Sequence, residues 1–208
     1  KGAVAVLTFH RPAALNAIDA PTLTPFEAAF VAAESDPAVR VIVITGAGDK
    51  AFVAGGDIGD LESRQGLPHY LEFGEELHRV FNRVEACDKP TIAAVKGLAL
   101  GGGTELLLCT GLRVGADSAR LGLPEINLGL FPGAGGTQRL IREIAPCRAR
   151  EMMFTGSQIT AQEAVDLGLC NRVVPKAELM AEAMKLAERC ASKSPLILKL
   201  LKRTLRQG

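Results

Sequence analysis

The chain is predicted to fold as an α/β protein, on three observations. Short β-branched runs alternate with stretches of helical periodicity, glycine-rich turns carry the chain from strand to helix, and nothing repeats at a fixed period. Residues 3–9 (AVAVLTF) and 39–45 (VRVIVIT) have strand length and β-branched character. Residues 21–34 between them place Leu23, Phe26, Phe30 and Val31 on one side of a helix. A charged segment follows Ile58, and residues 67–86 then put Leu71, Gly74, Leu77, Phe81 and Val84 on a helix face. Residues 91–95 (TIAAV) read as a buried strand, 97–103 as a glycine turn and 104–109 as a helix. The pattern recurs with strand residues 112–115 and 119–121, a second glycine turn at 129–137 and a helix at 138–144. Helical periodicity returns at 161–167, 176–192 and 195–205, with a short strand at 171–174.

Composition limits what such a chain does. At 208 residues, 48% hydrophobic and 23% charged, it can bury one sizeable core as a soluble globular protein. Its 24 basic and 23 acidic residues nearly cancel, and the tail cluster Lys199, Lys202, Arg203 and Arg206 reads as a solvated helix face. With one tyrosine and no tryptophan to stack on bases, nucleic acid is not expected as the main partner. Cys87, Cys109, Cys147, Cys170 and Cys190 form no CxxC pair, and His10, His69 and His78 lack HExxH spacing. Reduced thiols and no metal are expected. No apolar run reaches the roughly 20 residues of a membrane span. Residues 1–4 enter a strand pattern directly instead of a signal peptide, so the expected location is cytoplasmic, or the mitochondrial matrix if a transit segment has been removed.

Chemistry is suggested by two glutamates in apolar turns, Glu105 in GGGTELLL and Glu125 in LGLPEI. Alone, each would read as a solvated side chain near a helix end. Burial among apolar neighbours would instead raise the carboxyl pKa toward the range useful for proton transfer, and two such groups can divide acid and base roles. A third apolar turn, Phe52 to Ile58 (FVAGGDI), exposes backbone amides beside small side chains. Gly102 opens a helix, where unpaired amides and the positive dipole end face developing negative charge, and a glycine lets a ligand approach. Other motifs fail on context. Thr45 to Ala51 contains GxGxxA after a strand, but the following residues look extended where a dinucleotide site needs a helix. Residues 97–105 lack the lysine and hydroxyl of a phosphate loop, and no GxSxG elbow occurs.

The segments Arg11–Ala17 (RPAALNA), Ala51–Ile58 (AFVAGGDI), Lys89–Val95 (KPTIAAV), Gly101–Glu105, Pro124–Ile126 and Pro132–Thr137 (PGAGGT) stand in an order that resembles the enoyl-CoA hydratase/isomerase, or crotonase, family. The resemblance spans nearly the whole chain. It implies a spiral of repeated β-β-α units over residues 1–193, and from 194 to 208 the start of a C-terminal helical region that assembles trimers, often paired into hexamers. It also implies acyl-CoA chemistry without a cofactor. The thioester carbonyl would be held by backbone amides matching Ala54 and Gly102. Ala14, Leu15, Gly55, Gly56, Asp57, Ile58, Gly101, Pro124 and Gly133 would line the substrate. Hydratases of the family carry both glutamates, and Glu105 and Glu125 match them, 20 positions apart. The implied reaction is hydration of a trans-2-enoyl-CoA, with Glu105 taking a proton from water at C3 and Glu125 delivering one to C2. A double-bond isomerase, and a non-catalytic or RNA-binding scaffold, are the alternatives. Three departures stand out: Ala13 where many members carry a charge, Gly56 in place of the commoner alanine, and an end at Gly208 before the helices that usually follow. The acyl pocket is expected to be shaped by residues 61–73.

Overall fold

The computed structural model describes residues 2–63 and 67–207. The chain runs β1 (Val4–Phe9), α1 (Ala20–Ser35), β2 (Val41–Gly46), β3 (Ala51–Val53), α2 (Ile58–Ser63), α3 (Leu67–Ala86), β4 (Thr91–Val95), β5 (Leu98–Leu100), α4 (Gly102–Leu108), β6 (Leu112–Ala116) and β7 (Arg120–Gly122). It continues through α5 (Gly136–Glu143), α6 (Pro146–Thr155), β8 (Gln158–Thr160), α7 (Ala161–Asp166), β9 (Arg172–Val174), α8 (Leu179–Ala191) and α9 (Pro195–Gln207).

From β2 to β7 successive strands alternate between two sheets, which is what winds the chain into a spiral. One sheet has the order β1-β2-β4-β6-β9 and the other β3-β5-β7-β8. The first is parallel throughout, with Val4 opposite Val41, Ile42 opposite Thr91, Ile92 opposite Leu112 and Val114 opposite Arg172. A parallel sheet covered on both faces needs strands that are apolar throughout. In β2 every residue is buried: Ile42 and Ile44 face the main core, while Val41 and Val43 face α8 through Leu179, Ala183, Leu186 and Ala187. Fully burying each such side chain stabilises the fold by roughly 1.5–3 kcal/mol.

The β-β-α expectation is therefore met, with five additions. The apolar turn at 52–58 begins with the end of β3, the charged segment after it opens with α2, the predicted glycine turn at 97–103 contains β5, and α6 and β8 have no counterpart among the predicted elements. The strands β3, β5, β7 and β8 each have three residues, too few to establish alternation, and are defined by their backbone partners instead. Within α6 only Ala149 and Met152 are buried, so it carries little helical periodicity. The segment 61–73, expected to shape the acyl pocket, includes residues 64–66, which lie outside the described residues.

The cations of α9 are partly exposed, as expected, and are also paired: Arg203, 52% exposed, holds both oxygens of Asp88 at 2.8 and 2.9 Å, Lys199 reaches Asp88 at 2.9 Å, and Lys202 donates to the Lys89 carbonyl at 2.9 Å. These bonds, Arg203 first, hold the Asp88 carboxyl down at about 2. The outward residues are Leu196, Ile197, Leu200, Leu201 and Leu205, each at least half exposed. Among the described residues, no helix is long and apolar enough to cross a membrane.

Candidate active site

The helix that carries Glu105 is fixed from both ends. After β5 the chain reverses at Gly101, whose φ of 51° is in the range that favours glycine, and its amide donates to the Gly122 carbonyl at 2.9 Å. Thr104 on α4 ties two strands together, donating to Ala99 O at 2.6 Å and accepting from the Gly122 amide at 3.1 Å. At the C-terminal end the buried Arg113 donates to the carbonyls of Leu107 (2.9 Å), Leu108 (3.1 Å) and Thr110 (2.9 Å), closing the helix terminus. Its charge is met by Glu143 at 2.9 Å.

Between these ends Gly103 lies against the backbone of β3, so that a methyl group there would overlap the Val53 carbonyl. Gly103→Ala should therefore push α4 off β3 and destabilise the protein by about 1–3 kcal/mol, read as a lower urea midpoint with an unchanged m-value.

Glu105 is 3% exposed, and its Oε1 accepts the amides of Ala134 and Gly136, both at 2.8 Å. Those amides belong to the glycine turn leading into α5, so this turn exists to seat a carboxylate. Burial raises the Glu105 pKa, while the two amides and the charge of Arg139 pull it back. With Oε1 engaged twice, proton exchange falls to Oε2.

Glu125 begins a 3-10 turn, Glu125–Leu128, directly after Pro124. Its Oε2 is buried and has no hydrogen-bond partner among the described residues. Its Oε1 lies beside Gly101, where a methyl group would stand 3.2 Å away. Burial, with the nearby Glu105 carboxylate adding to it, pushes Glu125 up to about 7. A carboxyl of this kind is near half-protonated at neutral pH, and being coupled to Glu105 the two titrate as a pair. The linkage sign follows. Because the folded pKa lies above the ordinary 4.5, the native state holds the proton more tightly, and the resulting stability is complete below 4.5 and lost as pH rises through about 7. Urea denaturation should show wild type losing stability between these limits, and Glu125→Gln should flatten that decline; an identical slope in both proteins would contradict it.

The amide expected at Ala54 is already engaged. It donates to the Leu15 carbonyl at 3.1 Å, part of a backbone lacing that includes Ile18 to Gly55 O and Asp57 to Ile18 O, both at 2.8 Å. Gly55, at φ 98°, turns the chain, and the next amide, that of Gly56, carries no hydrogen bond among the described residues. Gly56 faces Gly102: a methyl group on Gly102 would stand 3.8 Å from the Gly56 nitrogen. Gly102 is the first residue of α4, so its own amide has no intrahelical acceptor. Among the described residues the amides left unpaired here are thus those of Gly56 and Gly102, whereas the amide of Ala54 is engaged. The substitution of glycine for alanine at 56 was noted in the sequence, but nothing there tells which amide is unpaired.

The remaining candidates divide. Gly101 and Pro124 frame Glu125, and Gly55 and Gly56 frame the free amides. Asp57 is scaffolding. Its Oδ2 pairs with Arg11 at 3.0 Å and its Oδ1 accepts the Asp60 amide at 3.2 Å, bonds that hold its carboxyl below the ordinary value. Ile58 is half exposed and Gly133 is exposed. Ala14 and Leu15 lie on the turn beside this lacing, and Leu15 also lines a separate cavity of about 330 Å³ with Lys50 and Ala47, away from both glutamates in its lining. That turn depends on Asn16, which has φ 58° and is 1% exposed. Its side chain accepts the Arg11 amide at 2.9 Å and donates to Ala47 O (2.9 Å) and Ala51 O (3.0 Å). Sequence reasoning passed over it, although an asparagine within an apolar turn is a residue type that tolerates this conformation.

Comparison with known proteins decides the lineage of this arrangement. The family described as enoyl-CoA hydratase/isomerase matches residues 1–208. The chain belongs to this family. Among relatives of this enoyl-CoA hydratase/isomerase family member, a crotonyl-CoA hydratase from Syntrophomonas wolfei is 44% identical over 205 residues, covering 99% of this chain and 78% of that protein. A short-chain-enoyl-CoA hydratase from Clostridium acetobutylicum is 41% identical over 208 residues, covering 100% of this chain and 79% of the relative. The crystal structure of an enoyl-CoA hydratase from Bacillus anthracis superposes with a TM-score of 0.96 at 37% identity, over 99% of this chain and 80% of the other. The crotonase fold expected from the sequence is therefore the fold of the protein.

Proposed function

We propose that this protein hydrates trans-2-enoyl-CoA thioesters to 3-hydroxyacyl-CoA. The observation that carries this reading is the pairing of two desolvated carboxyl groups, one raised to about 7, beside two unpaired amides from separate turns. The thioester oxygen sits between the Gly56 and Gly102 amides. Their dipoles are set in advance by β3, β5 and the α4 terminus, so they stabilise the enolate oxygen as it forms without reorganising. Water adds its oxygen to C3 and gives a proton to Glu105. Glu125 delivers a proton to C2, which collapses the enolate, and transfer of the proton held on Glu105 back to Glu125 resets the pair. Every step is a proton transfer or an addition, so this chain's own residues suffice. The two relatives named as hydratases support the same reaction class.

The test is loss of conjugated enoyl-thioester absorbance with crotonyl-CoA, followed by a panel of longer and branched enoyl-CoAs. No loss, with migration of the double bond of a 3-enoyl-CoA to position 2, would make the protein an isomerase. No acyl-CoA turnover together with salt-sensitive RNA binding would make it a scaffold. Residues 1–193 act in this reading as the catalytic core and residues 194–208 as part of an assembly region, supported by the outward leucines of α9. Light scattering should then report a trimer or hexamer.

A further inference from the structure

The turn that seats Glu105 is itself clamped by a residue with no part in the reaction above. Arg139, on the second turn of α5, is 11% exposed at its side chain. Its Nη1 donates to the Ala134 carbonyl at 2.9 Å, while Nε and Nη2 hold Glu85 Oε2 on α3 at 3.0 and 2.7 Å. Nη2 also reaches Asn82 Oδ1 at 2.6 Å. Ala134 is thus gripped on both sides, by the guanidinium at its carbonyl and by Glu105 at its amide. Room for the guanidinium comes from Gly135, where a methyl group would overlap Nη1.

We propose that Arg139 is a positioning residue, which through Ala134 and Glu85 holds residues 134–136 so that their amides seat the Glu105 carboxylate. The inference rests on the hydratase reading for its kinetic readout only. Charged groups around Glu105 give the charge effect a sign. Arg139 on α5 favours ionisation, and Glu85 on α3 partly neutralises Arg139. Glu125 opposes ionisation from the facing 3-10 turn, and Cys109, one helical turn along α4, is a neutral thiol pushed up to about 12 by burial. Arg113 on β6, beneath α4, is paired with Glu143. Removing Arg139 therefore raises the Glu105 pKa, and removing Glu85 lowers it. A purely structural clamp would not produce opposite signs.

The experiment compares Arg139→Gln, Arg139→Lys and Glu85→Gln with wild type, in pH profiles of crotonyl-CoA hydration and in ¹³C titration of the Glu105 carboxyl. Arg139→Gln should lose on the order of tenfold to a hundredfold in kcat with KM little changed, the cost of a mis-seated carboxylate. Its acid limb and its ¹³C titration should move to higher pH. Arg139→Lys should return the limb toward wild type, and Glu85→Gln should move it to lower pH. Because Glu85 is partly exposed, its variant keeps the comparison usable if Arg139→Gln fails to fold. Shifts of the same sign in both glutamine variants, or no shift in either, overturn the proposal. Opposite ¹³C shifts in a protein that hydrates neither crotonyl-CoA nor the longer and branched enoyl-CoAs would uphold it and remove the hydratase reading instead.

Discussion

Glu105→Gln should lower kcat for crotonyl-CoA hydration by about 10²- to 10⁴-fold while leaving KM within a few-fold, since general acid–base groups contribute on that scale. The substitution is close to isosteric, and its geometry is dictated by the site. Two amides converge on Oε1 at 2.8 Å, so the glutamine oxygen must take that place and its NH₂ group the other. An NH₂ group cannot accept a proton from water, so the attack step fails although the side chain stays seated. Glu125→Gln should produce a loss of similar size for a different reason. Its Oε2 lies buried without a partner among the described residues, and an amide there can neither hold nor release the proton owed to C2. The double variant should fall little below the weaker single one, because groups that serve one proton circuit do not add. Turnover unchanged in either single variant would sink the two-carboxylate mechanism.

That pair of glutamates was legible in the sequence because each sits in a turn whose neighbours are apolar, and desolvation is a local property. The order of strands and helices was legible for the same reason. The β-branched runs of β1 and β2, and helical spacing in α1 and α3, are carried by consecutive residues. Features set by partners distant in sequence were not. β5 is three residues long and is recognisable only by its pairing with Ala51, Val53 and residues 120–122. The seat of Glu105 comes from amides at 134 and 136, and the helix end above it is closed by Arg113, neither of which has a local signature. At α9 the periodicity separates leucines from cations, but the ion pairs of Lys199 and Arg203 depend on Asp88, more than a hundred positions away. The choice between Ala54 and Gly56 belongs to the same class, since it turns on a carbonyl at Leu15.

Replacing single amide bonds by esters should settle that choice, because an ester removes the N–H and leaves the side chain alone. With glycolic acid incorporated at position 56, kcat should fall by about 10²- to 10³-fold, the usual consequence of deleting one preorganised donor to an oxyanion. The Gly56 N–H has no acceptor among the described residues to lose, so the stability change should be confined to the weaker ester carbonyl of Gly55, which accepts the Ile18 amide. With lactic acid at position 54 the pattern should invert. The lost bond is then the 3.1 Å contact to Leu15 O, which costs about 0.5–1.5 kcal/mol of stability, while kcat stays within several-fold of wild type. Two residues apart, Ala54 and Gly56 are separated by the φ of 98° at Gly55, which turns one amide into the lacing with residues 15–18 and the other toward Gly102. A larger kcat loss at 54 than at 56 would return the donor role to Ala54 and would mean that the Leu15 carbonyl gives way when the thioester binds.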